Sequence, residues 1–291
     1  ITSFSPASGQ VGSVVTITGT NFDATPANNV VYFGGVRAAV SAASSTQLTV
    51  TVPVGASYNK LSVAAGNLIA NSSRAFAVTN PCIASTAFNS LSVFSAAATV
   101  SSVNGDNGSS DVIVAAADFD NDGKVDVLKV GGGSVSVSRN IISSVGAAIS
   151  NSSFDVAQSF AVGGNLRNVI YSDLNADGKL DVLTAGANGV YYLINNSSVG
   201  SISFASAVQI SGAITNVESS DFDGDGKNDI LTLSGSNANI YLNTGSGSTV
   251  SFGTAFTIGL SGSSSGIDIG DLNNDGKIDF AVTGSGTTYV Y

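Results

Sequence analysis

An all-β protein is what the sequence predicts: a small β-sandwich over residues 1–80, then a β-propeller region over residues 81–291 with at least four blades. Three observations carry the prediction. Apolar residues come in short, β-branched runs separated by Gly, Asn and Ser, the rhythm of strands and turns. An acidic nonapeptide occurs four times, starting at Asp118, Asp173, Asp221 and Asp271, so the starts are 55, 48 and 50 residues apart, the size of a four-stranded blade. Gly, Ala and Ser crowd a chain of 291 residues of which only 10% are charged, which argues against a helical enzyme of ordinary composition.

The first strands read as Ser13–Thr18, Val30–Phe33, Gln47–Val52, Lys60–Ala64 and Arg74–Val78, a spacing that fits a small sandwich. Within this segment the opening I-T-S-F-S-P-A-S-G-Q-V-G-S-V-V-T-I-T-G-T-N-F resembles the IPT/TIG family of immunoglobulin-like domains. Pro6, Gly9, Gly12, Gly19 and Phe22 match its strand-turn-strand start, and the resemblance runs through Val78. Some domains of that family sit in DNA-binding transcription factors. Here the segment has three bases (Arg37, Lys60, Arg74), one acid (Asp23) and no basic stripe, so the resemblance implies an extracellular spacer instead.

Thr79-Asn80-Pro81 reads as a linker, because Pro81 holds its predecessor extended and the strand rhythm then restarts. The domain boundary is placed at 80/81. Each unit beyond it predicts four strands, exemplified by Asn168–Tyr171, Asp181–Thr184, Val190–Ile194 and Phe204–Ile210.

The repeats are D-F-D-N-D-G-K-V-D, D-L-N-A-D-G-K-L-D, D-F-D-G-D-G-K-N-D and D-L-N-N-D-G-K-I-D. Carboxylate or amide oxygens stand at positions 1, 3, 5 and 9, with Gly at 6 to permit a left-handed bend. Alternate oxygens in a tight turn converge on one centre. With the backbone carbonyl of the position-7 Lys they make a hard, all-oxygen set suited to Ca²⁺ at roughly 2.3–2.6 Å, whereas zinc or copper would want nitrogen or sulfur. The first set is Asp118, Asp120, Asp122, Lys124 and Asp126; the second is Asp173, Asn175, Asp177, Lys179 and Asp181. The third is Asp221, Asp223, Asp225, Lys227 and Asp229; the fourth is Asp271, Asn273, Asp275, Lys277 and Asp279. About four ions are expected. An EF-hand is rejected, since Lys129, Thr184, Thr232 and Val282 occupy the place of its bidentate Glu and the flanks are strand-like. Solvated Asp-Gly turns would leave carboxylates about 4 Å apart repelling by roughly 1 kcal/mol per pair even in bulk water, four times over.

Four copies of D-x-[DN]-x-D-G-x-x-D at blade spacing make residues 82–291 resemble the FG-GAP/VCBS repeats, also found in integrin α chains. That resemblance implies calcium held by the same twenty residues. Within residues 82–291 Phe252-Gly253 is the one clear "FG", and no "GAP" triplet occurs.

Val114, Val169, Val217 and Ile267, with Phe119, Leu174, Phe222 and Leu272, are expected in the core between blades. Ala115, Ile170, Glu218 and Asp268 should lie on innermost strands, bringing two acids together in a wet channel, or as an acid/base pair or cation site. Tyr191, Tyr192, Tyr241, Tyr289 and Tyr291 read as blade packing or sugar-stacking surfaces. Family propellers often have seven blades. Either Phe88–Phe94 closes the ring by strand exchange, or the chain, opening at Ile1 without an initiator Met, belongs to a longer precursor with further blades. The latter is favoured.

Composition excludes much chemistry. There is no His, Met or Trp and one cysteine, Cys82, so His/Cys zinc sites, haem ligation, Ser-His-Asp triads and a disulfide framework are all ruled out. No apolar run approaches the roughly 18 residues of a membrane span. The four nonapeptides hold 14 of the 20 acids and four of the 10 bases; the formal charge of −10 therefore belongs wholly to them, and the remainder is balanced. Nucleic acid is an unsuitable partner.

The function expected is that of a calcium-binding extracellular or cell-surface adhesion protein, its propeller a rigid platform for a protein or glycan ligand or for other surface and secretion components. The paired families resemble large secreted bacterial proteins. The alternatives are a polysaccharide lyase or hydrolase using Glu218 and Asp268, or a structural surface or filament subunit.

Overall fold

The computed structural model of the chain describes residues 1–66, 68–79, 113–143, 149–212, 214, 216–260, 262, 265–273, 275, 277–284 and 286–291. The boundary at 80/81, Cys82 and the strand expected at 88–94 lie outside them.

Residues 1–79 form two sheets. One orders Ser3–Ser5, Val14–Thr18, Gln47–Thr51 and Val40–Ala43; the other orders Ser8–Gly9, Leu68–Val78, Asn59–Ala65, Asn29–Phe33 and Val36–Ala38. Alternation explains the pairing. Val15 and Ile17 point inward opposite Val50 and Leu48, since a period-2 pattern buries one face. The second sheet answers with Val31, Phe33, Leu61, Val63 and Phe76. Phe33 meets Phe76 edge-on at 5.1 Å and 83°, the arrangement aromatic quadrupoles favour. Each predicted strand is present; the two-, three- and four-residue strands were too short to show a period.

Four further sheets follow, each a meander of antiparallel strands. The first comprises Ile113–Ala117, Asp126–Gly131, Ser134–Ser138 and Gln158–Ala161; the second Leu166–Ser172, Asp181–Gly186, Gly189–Leu193 and Val208–Ser211. The third comprises Asn216–Ser220, Asp229–Ser234, Asn237–Tyr241 and Phe256–Gly259, and the fourth Gly266–Gly270, Asp279–Gly284 and Thr287–Val290. First strands of successive sheets lie side by side, so these are propeller blades with their first strands innermost. No helix among the described residues is long and apolar enough to cross a membrane.

Blade packing has a direction. Phe119, Leu174 and Phe222 lean toward the following blade, while Val169, Val217 and Ile267 lean back on the preceding one. Two expected core residues do not follow: Val114 is 61% exposed and Leu272 is 55% exposed. Val114 faces back from the first described blade and Leu272 forward from the last, where no described blade covers them. Burial of such a side chain contributes about 1.5–3 kcal/mol, so internal blades gain what these outer faces do not. Of the tyrosines, Tyr192 is buried, Tyr241 packs on the core between the second and third blades, and Tyr291 stacks on Phe280 at 5.0 Å.

The N-terminal domain is no free spacer, contrary to expectation. It is seated on the ends of the first three blades. Tyr32 is 2% exposed and belongs to the blade core with Phe119, Leu128 and Leu180, not to the core of its own sandwich. The Gly34-Gly35 turn reaches the first nonapeptide, where Asp118 N–H donates to the Gly35 carbonyl at 2.9 Å. A Cβ on Gly35 would stand 2.6 Å from the Ala117 Cβ, so only glycine allows that approach.

Candidate metal centre

Each nonapeptide joins the first two strands of its blade and folds on itself through a shared set of bonds, except that in the third Asp221 Oδ1 accepts from Gly224 N–H at 2.7 Å in place of the N–H of the fifth residue. In the first, Asp122 N–H donates to Asp118 Oδ1 and to Asp120 Oδ1, both at 3.1 Å. Gly123 N–H donates to Asp118 Oδ2 at 2.9 Å, and Lys124 N–H to Asp122 Oδ1 at 2.9 Å. The second repeats this at Asp173, Asn175, Asp177, Gly178 and Lys179. Gly123, Gly178 and Gly226 have φ of 85°, 82° and 85°, the left-handed bend a Cβ would oppose. Short-range Asx bonding of this kind is why Asp and Asn alternate through the turn.

Convergence differs among the loops. Carboxylate oxygens of Asp118, Asp120 and Asp126 lie within 4.8 Å of one another, and all three residues are buried; those of Asp221, Asp223 and Asp225 also lie within 4.8 Å, with more exposure. Asp229 stays outside that second group. In the second loop Asp173, Asn175 and Asp181 are buried and Asp177 is exposed, while Asn273, Asp275 and Lys277 of the fourth are exposed. The lysines offset charge at one edge: Lys124 Nζ is 3.0 Å from Asp122 Oδ2, and Lys227 Nζ 2.7 Å from Asp225 Oδ2. Arg139 comes to 3.9 Å of Asp120.

The buried carboxylates remain poorly compensated. Burial, opposed by backbone N–H bonds and reinforced by neighbouring carboxylates, pushes Asp118 up to about 6 and Asp126 and Asp173 up to about 7. Asp229 rises to about 6 and Asp181 well above the ordinary carboxylate range for the same reason. Clustered, dehydrated, oxygen-only donors fit a hard divalent cation, which would supply the missing positive charge.

Three asparagines belong to this architecture although the sequence reading passed over them. Asn140, Asn195 and Asn243 each stand 14 residues beyond the last Asp of their loop, and their N–H groups donate to Oδ1 of Asp126, Asp181 and Asp229 at 2.8, 2.7 and 2.7 Å. Oδ2 of the same aspartates accepts Phe119, Leu174 and Phe222 N–H at 2.9, 2.8 and 2.9 Å. The constant offset was the available signal. Asn195 Nδ2 also bridges to the preceding blade, donating to the Phe119 and Leu180 carbonyls, each at 2.9 Å. Asn195→Ala should therefore leave two buried acceptors unpaired and cost about 3 kcal/mol, read as a lower urea midpoint; an unchanged midpoint would remove its role as a staple.

The N-terminal domain covers these loops. The Tyr32 hydroxyl donates to the Gly178 carbonyl and lies 3.3 Å from Asn121 Oδ1; burial and then Asp173 raise its pKa, keeping it protonated. Ile69 N–H donates to the Gly226 carbonyl of the third loop. Elsewhere, Glu218 and Asp268 sit on adjacent innermost strands as expected, and burial, then Asp268, pushes Glu218 up to about 7.

Residues 1–78 match the IPT/TIG domain family, and residues 221–282 match the FG-GAP-like repeat. No curated protein matches the chain. Among solved structures, an Agrocybe aegerita lectin described as recognising non-reducing terminal N-acetylglucosamine aligns at 18% identity over 90% of this chain and 72% of its own, with a TM-score of 0.48. An auxiliary nutrient binding protein from Bacteroides thetaiotaomicron aligns at 12% identity over 99% and 84%, with a TM-score of 0.31. A Bacteroides thetaiotaomicron protein of unknown function aligns at 18% over 99% and 68%, with a TM-score of 0.34. The chain is thus an all-β protein in which an IPT/TIG domain precedes propeller blades that carry an FG-GAP-like repeat.

Proposed function

We propose that this protein is a calcium-stabilised, non-catalytic binding protein of the extracellular space or cell surface, its blades a rigid platform for a protein or glycan ligand. The observation that carries the reading is the buried trio Asp118, Asp120 and Asp126, whose oxygens lie within 4.8 Å of one another with Arg139 and Lys124 as the only cationic side chains the described ion pairs bring to that loop. Its wiring recurs in the other loops, so the arrangement is a property of the repeat. In this reading Asp118, Asp120, Asp122 and Asp126 bind through side chains and Lys124 through its carbonyl, with the equivalent positions serving in each further loop. Calcium supplies charge compensation and cross-links the strands that enter and leave each loop.

Extracellular calcium is abundant enough to occupy sites of modest affinity, which supports placing the protein outside the cell. The IPT/TIG domain, clamped over three loops, becomes part of the platform. Calorimetric titration of chelator-treated protein with calcium tests the reading: saturable binding at more than one site is expected, and the absence of binding heat at any temperature with an unchanged unfolding profile would overturn it.

A further inference from the structure

The strands that cover the acidic loops also wall a cleft of about 390 Å³ between the IPT/TIG domain and the inner strands of the blades. Tyr58, Lys60 and Asn71 line it from the first domain; Ser172, Asn228 and Asp268 line it from the second, third and fourth blades. We infer that this cleft is a binding site for a neutral saccharide; the inference rests on the proposed binding role and narrows it to one place and one ligand class.

The repeat itself supplies the first argument. Position 8 of the nonapeptide is Val125, Leu180 or Ile278 in three copies and Asn228 in the third. Asn228 is 6% exposed. Its Nδ2 donates to Ser172 Oγ at 2.8 Å and to the Asp173 carbonyl at 3.1 Å, while its Oδ1 has no partner. A buried unpaired acceptor costs about 1–3 kcal/mol, and an aliphatic side chain would carry no such atom. Asp268 is a second departure, since the first two blades carry Ala115 and Ile170 at that point of the inner strand. Asn228 and Asp268 line the same cleft; Glu218, the polar residue at the corresponding point of the third blade, is not among its lining residues.

The remaining chemistry selects the ligand. Tyr58 is 75% exposed and offers a bare aromatic face for the C–H face of a sugar ring. Asp268 accepts one bond, from Ile269 N–H at 2.9 Å, leaving carboxylate capacity for hydroxyl donors. Asp173 also lines the cleft, and the proposed calcium meets its charge; Lys60 on one wall and Asp268 on the other then balance each other, which favours an uncharged ligand over a phosphate or a uronate. Hydroxyl groups that both donate and accept match a lining of amides, hydroxyls and the free carboxylate of Asp268, and the volume suits one or two sugar units.

The test uses the full chain with calcium and a panel of neutral mono- and disaccharides, read by saturation-transfer NMR and by titration calorimetry. At least one sugar is expected to bind, and Tyr58→Ala and Asn228→Leu should each weaken it tenfold or more. Tyr58 is on the surface, so Tyr58→Ala should melt as the parent does and its binding result stands alone; Asn228→Leu gives up the bond to the Asp173 carbonyl, so its binding is measured at a temperature where its melting curve shows it fully folded. No binding by any neutral sugar, binding unchanged in both variants, or binding restricted to peptides or acidic glycans would overturn the inference. Sugar binding that ignores both variants would leave the wider binding role standing on another face; calcium-dependent melting in the same samples tests that role separately.

Discussion

Calcium added to chelator-treated protein is expected to raise its melting temperature by well over 10 °C. A ligand that binds only the folded state stabilises by about 2.7 kcal/mol per site at a hundredfold excess over Kd, and for a region of this size each kcal/mol moves the midpoint by about 2–4 °C. Two or more occupied loops therefore give a large shift. The metal-free protein should also depend on pH in an unusual sense. Asp126 and Asp173 are raised to about 7 when folded, against an ordinary carboxylate near 4 when unfolded. Between those values the folded chain holds more protons than the unfolded chain, so stability falls as pH rises through that window. Calcium replaces those protons, and its stabilising increment should be largest at neutral pH and fade toward pH 4. Melting curves in calcium and in EGTA at pH 4.5 and 7.5 decide this: equal midpoints at both pH values would remove the metal from the account of the loops.

Replacing Tyr32 by Ala should destabilise the chain by about 3–5 kcal/mol, the cost of truncating a buried aromatic. Unlike Phe33, the other aromatic residue of its strand, Tyr32 packs in the blade core, so the loss should fall on the union of the two domains. Limited proteolysis should release a fragment beginning beyond the sandwich, and small-angle scattering should report a larger radius of gyration. Tyr32→Phe keeps the ring and loses only the hydroxyl. Asn121 Nδ2 already donates to the Gly178 carbonyl at 3.1 Å, so that acceptor stays paired and the cost should be about 1 kcal/mol. An Ala variant as stable and as compact as the parent would show that the domains hold together without this anchor.

Much of this protein was legible in its residues. The loops could be read because their chemistry is local: an oxygen at every second position and a glycine at the sixth dictate an inward-facing turn whatever surrounds it. Strand alternation likewise declared which faces of Val14–Thr18 and Gln47–Thr51 would be buried. The interblade pattern was read correctly at internal positions such as Val217 and failed at Val114 and Leu272, because identical residues in identical repeats differ only in whether a neighbouring blade lies on that side. Asn140, Asn195 and Asn243 were hidden in a chain rich in asparagine; their constant distance from the loops becomes meaningful only once each third strand is seen to lead back to the acidic loop of its own blade.

The seat of the IPT/TIG domain belongs to tertiary structure alone. Tyr32 and Gly178 are 146 residues apart, and nothing in the alternating strand Asn29–Phe33 distinguishes a tyrosine that faces another domain from one that faces water. The strands, the four acidic turns and the confinement of the net charge to those turns are written in the residue order, since each is encoded within one turn or one strand. Which loops are covered, how strongly their carboxylates are dehydrated and where a cleft remains open were decided by the packing of distant surfaces, whose energies depend on contacts that no local spacing records.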